Sequence, residues 1–256
     1  MTYPANGTYE AGGSDLRSVI GVSVRSSWIV GRYRDDEGRT STASRAAVCS
    51  VAYDSAVTEV VRQLGEQAGV RPGGVDEVVV GVSHASLQPS RLRRRTPGGP
   101  YWRDILTTAL EFQLGTRVTV HGAIELAALA ERRHGVAAGS ARFALILAGP
   151  QTEAGLFVDG ELRASASHDV RTVTGNPGTL AGALRPHLRA MRPELVVLAG
   201  RLPGRDRAAF GAALRLAMLA DGGRPPEIRP TGLSGDAVLA GAHAAARRPI
   251  PAFALR

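Results

Sequence analysis

Three short runs in this chain carry no polar side chain: Val78–Val82, Phe143–Leu147 and Leu195–Ala199. A strand that is apolar without alternation has both faces covered, the situation of a central sheet with helices on either side. Segments with helical spacing lie between and around these runs. Tyr53 to Ala68 places Val57, Val60, Val61 and Leu64 on one stripe, and further helices are expected from about Thr179 to Met191 and from Arg205 to Ala220. Gly235 to Ala246 reads as an Ala-rich helix whose small side chains permit close packing. Strands alternating with helices predict an α/β fold.

Two hairpins add antiparallel edges. Val19 to Tyr33 is rich in alternating Val and Ile and is followed by a turn cluster, Asp35-Asp36-Glu37-Gly38. Gly155 to Leu162 holds an Asp159-Gly160 pair between two strand-like halves, the strongest short hairpin signal in the chain. A short strand is expected to end at Ile228, and residues 1–16 have no periodicity and are expected to form a flexible tail.

A hydrophobic content of 44% over 256 residues suffices for one core or two closely packed lobes. No apolar stretch reaches the roughly 20 residues that span a bilayer, and the start lacks the pattern of a signal peptide. A cytoplasmic protein with no membrane partner is expected. The single cysteine, Cys49, permits neither an internal disulfide nor a cysteine-based zinc site, and is expected to be a small buried hydrophobe. A net charge of +8 invites a nucleic-acid reading. Every basic residue is Arg, however, which beside abundant Ala, Gly and Pro reads as coding bias. The densest cluster, Arg91-Leu92-Arg93-Arg94-Arg95, lies in a Pro/Gly-rich loop and is expected to be solvated.

The stretch Tyr101 to Glu131 carries the most specific signal: a Trp102-Arg103-Asp104 turn, a helix ending near Leu114-Gly115, a strand from Arg117 to His121, and a helix containing Ala127-Ala128-Leu129-Ala130-Glu131. This order resembles the ROK family of repressors and sugar kinases, in the actin-like ATPase superfamily. The resemblance extends over most of the chain and includes the segment Leu233 to Ala242, similar to the family's closing Asp-Asp-Ala-x-Leu-x-Gly-Ala helix. It implies a duplicated, ribonuclease H-like α/β fold of two lobes, each with a mixed sheet flanked by helices. On this frame residues 17–120 form the N-terminal lobe and 121–256 the C-terminal lobe. It also implies a strand-to-helix junction carrying Asn-Asp, where the carboxylate takes a proton from the sugar hydroxyl. Here Gly122 stands at the Asn, Ala123 at the catalytic Asp and Glu125 at the following Asn, so no catalytic residue is expected.

The other elements implied by the resemblance are altered in the same way. Ser23 replaces the metal-holding Asp of the first hairpin, and Arg25 and Ser26 replace the two glycines that let backbone N–H groups approach a phosphate. The second phosphate turn reads Ala148 to Gly155, with Gly149 retained, Pro150 lacking a donor, and Glu153 placing negative charge where a polyphosphate would lie. On the adenosine side, Gly200 is followed by Arg201. On the sugar side, Ser83-His84-Ala85 stands for a Pro-Gly turn, and too few residues separate Val170 from Leu195 to hold the family's sugar-binding Glu/His segment and zinc loop. His84, His121 and His168 match no metal spacing and are expected to be solvated; Glu125 is expected to face the old cleft and Glu131 to pair on a helix surface.

Losses at chemical positions beside retention at packing positions imply a ROK-like protein without kinase activity, serving as a non-catalytic regulatory, ligand-sensing or interaction module with no cofactor and no metal. Family regulators carry a helix-turn-helix ahead of this fold, and the short N-terminal tail is expected to leave no room for one. Two alternatives stand beside this reading. One is an ATP-dependent sugar kinase acting on a hexose hydroxyl with magnesium through a divergent site; the other is a dimeric structural scaffold. A homodimer, a protein partner, a weak sugar ligand and sequence-indifferent nucleic acid are all compatible with the sequence.

Overall fold

The computed structural model describes residues 18–25, 28–46, 53–83, 102–149, 151–169, 177–200, 204–219 and 225–246. The tail, Cys49, His84, the Arg91 to Arg95 cluster and Arg201 fall outside them. The elements follow one plan twice. In the first half, strands β1 (Val19–Val24), β2 (Trp28–Arg34) and β3 (Thr40–Ala46) precede helix α1 (Tyr53–Ala68), strand β4 (Glu77–Val82), helix α2 (Trp102–Leu114), strand β5 (Val118–Gly122) and helix α3 (Ala123–His134). In the second half, β6 (Arg142–Ala148), β7 (Gln151–Val158) and β8 (Glu161–Asp169) precede α4 (Pro177–Met191), β9 (Leu195–Gly200), α5 (Gly204–Leu219), β10 (Glu227–Pro230) and α6 (Ala237–Ala246).

Each half builds a five-stranded sheet, β3-β2-β1-β4-β5 and β8-β7-β6-β9-β10. Three strands joined by hairpins pair antiparallel, and the last two join in parallel through helical crossovers. The registers repeat as well, with Val24 opposite Val82 in one sheet and Ala148 opposite Gly200 in the other. The mixed two-sheet architecture implied by the resemblance is therefore present.

The apolar runs explain the layering. Alternate residues of β1, β4 and β5 point outward under α1 and α2, where Ile20, Val22, Val57, Leu64, Val78, Val80 and Leu110 form one core. The second sheet does likewise beneath α4 and α5, with Ile146, Leu184, Val196, Phe210 and Leu214. The inner faces do not meet each other. Helices α3 and α6 lie between them, and Val19, Val79, Ile124, Leu126, Phe143, Leu145, Val197, Val238 and Ala242 close into a third core shared by both halves. Phe143 and Phe157 stack within it at 5.2 Å between ring centres. The small side chains of α6 make this layer thin: a Cβ on Gly241 would lie 1.8 Å from the Leu126 carbonyl oxygen, so only glycine admits this crossing.

The structure corrects several sequence expectations. Thr40–Ala46 is a strand, although its Ser/Thr-rich composition carries no apolar alternation; pairing with β2 supplies what the pattern lacks. Trp102-Arg103-Asp104 is the first turn of α2 rather than a turn before it. The strand expected at Arg117 to His121 runs one residue later and the short strand extends past Ile228 to Pro230, because parallel pairing with β4 and β9 fixes their registers. Position 120/121, expected to divide the lobes, falls inside β5, and that strand belongs to the first sheet throughout. Among the described residues no helix is long and apolar enough to cross a membrane.

Candidate functional site

Parallel strands end at one edge of each sheet, and in open α/β sheets ligands bind beyond that edge. Here β1, β4 and β5 end at Val24, Val82 and Gly122, facing β6 and β9, which meet at Ala148 and Gly200. Strand alternation decides which side chains enter the interlobe layer at this edge: Ser23, Gly81 and His121 from the first sheet, Leu147, Glu153 and Ala199 from the second. Ser23 is fully buried and Glu153 nearly so.

Polar ties cross between the halves. Arg25, just past β1, donates to Asp236 at 2.8 Å, and its Nε reaches the Ser23 hydroxyl at 3.4 Å. Asp236 spends its other carboxylate oxygen on the Val238 N–H at 2.9 Å, capping α6 as a helix-start aspartate does. Ser83, after β4, donates to the carboxylate of Glu153. Thr231, after β10, donates to Glu131, and Arg133 donates to the Ala244 carbonyl. The stretch Ala148 to Gly155, which stands for the family's second phosphate turn, is largely strand: β6 ends at Ala148, β7 begins at Gln151, and Glu153 lies within β7.

Beside these ties is a second cluster at the end of β5. Arg103 binds Glu125 at 2.7 Å, and its guanidinium lies 5.4 Å from the centre of the Trp102 ring. The other Glu125 oxygen accepts the Gly122 N–H at 3.0 Å, satisfying a donor at the start of α3. Arg103 Nε is buried with no partner among the described residues. His121 is half-buried rather than solvated. Burial holds its pKa below the ordinary histidine value; Glu125 opposes that shift and Arg103 adds to it. Ala123, at the expected catalytic position, is 1% exposed and packs into the shared core. A Cβ on neighbouring Gly81 would lie 2.5 Å from Val238 and 2.8 Å from Leu126, so apolar side chains fill the space behind the junction.

Glu131 departs from its expected place on the helix surface. It is fully buried, accepts the Val136 N–H at 3.0 Å as well as the Thr231 hydroxyl, and so closes the end of α3. Its spacing from Ile124 and Ala128 on one helical stripe was the signal for burial. Gly200 has φ of 89° and faces the Ala148 carbonyl, where a Cβ would come within 2.1 Å. Strand pairing with Ala148 is what this glycine permits. His168 pairs with Thr152 across β7 and β8. Asp236 and Arg103 were not singled out as site residues; their partners lie 211 and 22 positions away, which no local pattern signals.

No family model matches the sequence, and no curated protein matches it. Solved structures do. The inorganic polyphosphate/ATP-glucomannokinase of Arthrobacter sp. strain KM aligns over 91% of this chain and 100% of its own, with a TM-score of 0.63 and 19% identity. A ROK family glucokinase from Streptomyces griseus, solved with glucose and AMPPNP, aligns over 88% of this chain and 97% of its own at TM-score 0.60 and 17% identity. A ROK family transcriptional regulator, homolog of the E. coli MLC protein, covers 90% of this chain with 76% of its own, at TM-score 0.61 and 11% identity. The chain has the ROK-like, actin-like ATPase fold.

Proposed function

We propose that this chain is a ROK-like protein that does not transfer phosphoryl groups and acts as a regulatory or interaction module. The observation that carries this reading is the Arg25–Asp236 pair, which ties the two halves together beyond the end of β1, where the resemblance implies a metal- and phosphate-holding turn. A kinase of this fold needs that position open to magnesium and a triphosphate, and needs a carboxylate at the β5–α3 junction. Instead, a guanidinium and a carboxylate neutralise each other there, Ser23 is buried, and the junction carries Ala123. Glu153 would repel a phosphate, and its carboxylate is already held by Ser83. This donor set suits neither magnesium nor ATP.

Incubation with ATP, magnesium and a panel of hexoses, followed by ADP release, is expected to give no sugar-dependent turnover. Turnover that disappears in Glu125→Gln would sink the reading and establish the divergent-kinase alternative. Calorimetry separates a module that senses ligands from a bare scaffold. The Trp102, Arg103, His121 and Glu125 cluster presents a buried donor beside an aromatic face, which favours a weak polar ligand such as a sugar. Heat on titrating monosaccharides, lost in Arg103→Ala, is the expected result for the sensing form.

A further inference from the structure

The helices on the outside of this molecule meet water in two ways. Along α1 the outward positions are polar, Glu59, Arg62, Gln63 and Glu66 among them. The crossover helices α2 and α5, which occupy equivalent places in the two halves, break that rule. Phe112 on α2 is 91% exposed and Leu216 on α5 is 68% exposed, with Ile105 and Leu219 about half exposed beside them. Their spacing is regular. Ile105, Thr108 and Phe112 stand three and four positions apart, as do Ala209, Ala212, Leu216 and Leu219, and all of them are exposed. Steps of three and four make the seam along which two helices interlock. Leu110 seats α2 on the outer face of the first sheet, and Phe210 and Leu214 seat α5 on that of the second. The two seams therefore face away from each other and cannot close within one chain.

We propose that the α2 seam is occupied by α5 of a second copy of this chain, so that copies join head to tail. Size and charge select this pairing. When the two helices run antiparallel, Phe112 sits over the small pair Ala209 and Ala212. Ile105, two turns or about 10 Å away, then meets Leu216 and Leu219, which lie two turns along the other helix. In the same alignment Arg215 comes level with the midpoint between Asp104 and Glu111, about 5 Å along the axis from each. Asp104 and Arg215 are exposed and carry no ion pair among the described residues. Glu111 accepts the Val118 N–H with one carboxylate oxygen and keeps the other.

Like-with-like pairing is disfavoured by the same charges. Two α2 helices would set Asp104 and Glu111 against their own copies, and two α5 helices would set Arg215 against Arg215; charges that flank a seam in this way direct partner choice. A head-to-tail contact leaves one seam open at each end of a pair, so association passes beyond two copies. One helix pair covers less than the ~1,200–2,000 Å2 of a stable complex, which makes the contact reversible. The pairing is independent of whether phosphoryl transfer has been lost.

Sedimentation velocity of the full chain over a range of concentrations is expected to show mass growing past twice the 26.8 kDa of the monomer. Phe112→Glu alone, and Leu216→Glu combined with Leu219→Glu, are each expected to stay monomeric. Mixed in equal amounts, they should form a pair and nothing larger, because one supplies only α5 and the other only α2. Arg215→Glu is expected to weaken association several-fold, and adding Asp104→Arg and Glu111→Arg to the same chain to restore it. The proposal is overturned by a wild type that stays monomeric at every concentration, or by folded seam variants that fail to associate when mixed. A dimer abolished by substitution in one seam and untouched by substitution in the other overturns it as well, since like would then pair with like. Should a seam variant lose the wild-type circular dichroism, the charge series decides alone: unchanged association in Arg215→Glu refutes the pairing.

Discussion

In the first half the chain passes from β5 into α3 without a spare residue, Gly122 ending the strand and Ala123 beginning the helix, whereas residues 231–236 intervene between β10 and α6. A junction with no loop can use only its own first turn, and here Glu125 folds back on the Gly122 N–H. The longer junction has side chains to spare. Thr231 reaches Glu131, and Asp236 caps its own helix while holding Arg25. Sheet pairing is thus the conserved part of the repeat plan, and the turn into the third helix is where the halves differ. The same difference separates α3, which buries two carboxylates, from α6, whose buried residues are all Ala, Val, Leu or Gly.

The largest effect is expected where the third helices cross at Gly241, backbone against backbone. Gly241→Val forces a side chain against the Leu126 backbone and should destabilise the fold by about 3 kcal/mol or more in chemical denaturation. A change below 1 kcal/mol would mean the helices can part, and the two halves would then be less tightly joined than their shared core requires. Next comes Glu131→Ala, which leaves the Val136 N–H and the Thr231 hydroxyl without their acceptor and should cost about 2–3 kcal/mol.

The junction loop is tested by the Arg25–Asp236 pair. Arg25→Ala removes a partly exposed ion pair and should cost no more than about 1 kcal/mol. Asp236→Ala removes the helix cap as well and should cost about 1 kcal/mol more. Equal losses would show that the cap contributes nothing and that the loop serves only to hold Arg25.

His121 gives the smallest effect, read as a slope. Its folded pKa is below the ordinary value, so between the two the unfolded chain binds more protons. Stability should therefore be full above the ordinary histidine pKa and fall as pH drops toward the folded one. His121→Asn should flatten that stretch of the stability–pH curve; an unchanged slope would assign the proton uptake to another group.

The central strands and the helices on either side of them were legible in the sequence, because burial on both faces leaves an unbroken apolar run and helical spacing leaves a stripe. Strand β3 was not, since an edge of Ser, Thr and Ala takes its form from its neighbour β2. Site residues divide along similar lines. Ala123, Ser23 and Glu153 stand out against the family frame because an absent or added charge is visible in one letter. Arg103 and Asp236 acquire their roles only through partners that folding brings to them, and an ion pair that joins distant segments leaves no periodic trace. The burial of Glu131 was written in its helical position, but its charge argued for the surface until Thr231 and the Val136 N–H supplied partners.

Helix α6 is translated long after β1 and β4, yet Val238 and Ala242 fill the inner face of the sheet those strands form. A nascent first half emerging from the ribosome therefore carries Val19 and Val79 uncovered until the distant segment arrives. Chains emerge at roughly 5–20 residues per second, so that wait lasts many seconds. During it the partly made protein presents a greasy, strand-edged surface to chaperones and to sister chains on the same message. Yield in the cell should consequently depend on how quickly the last helix is delivered.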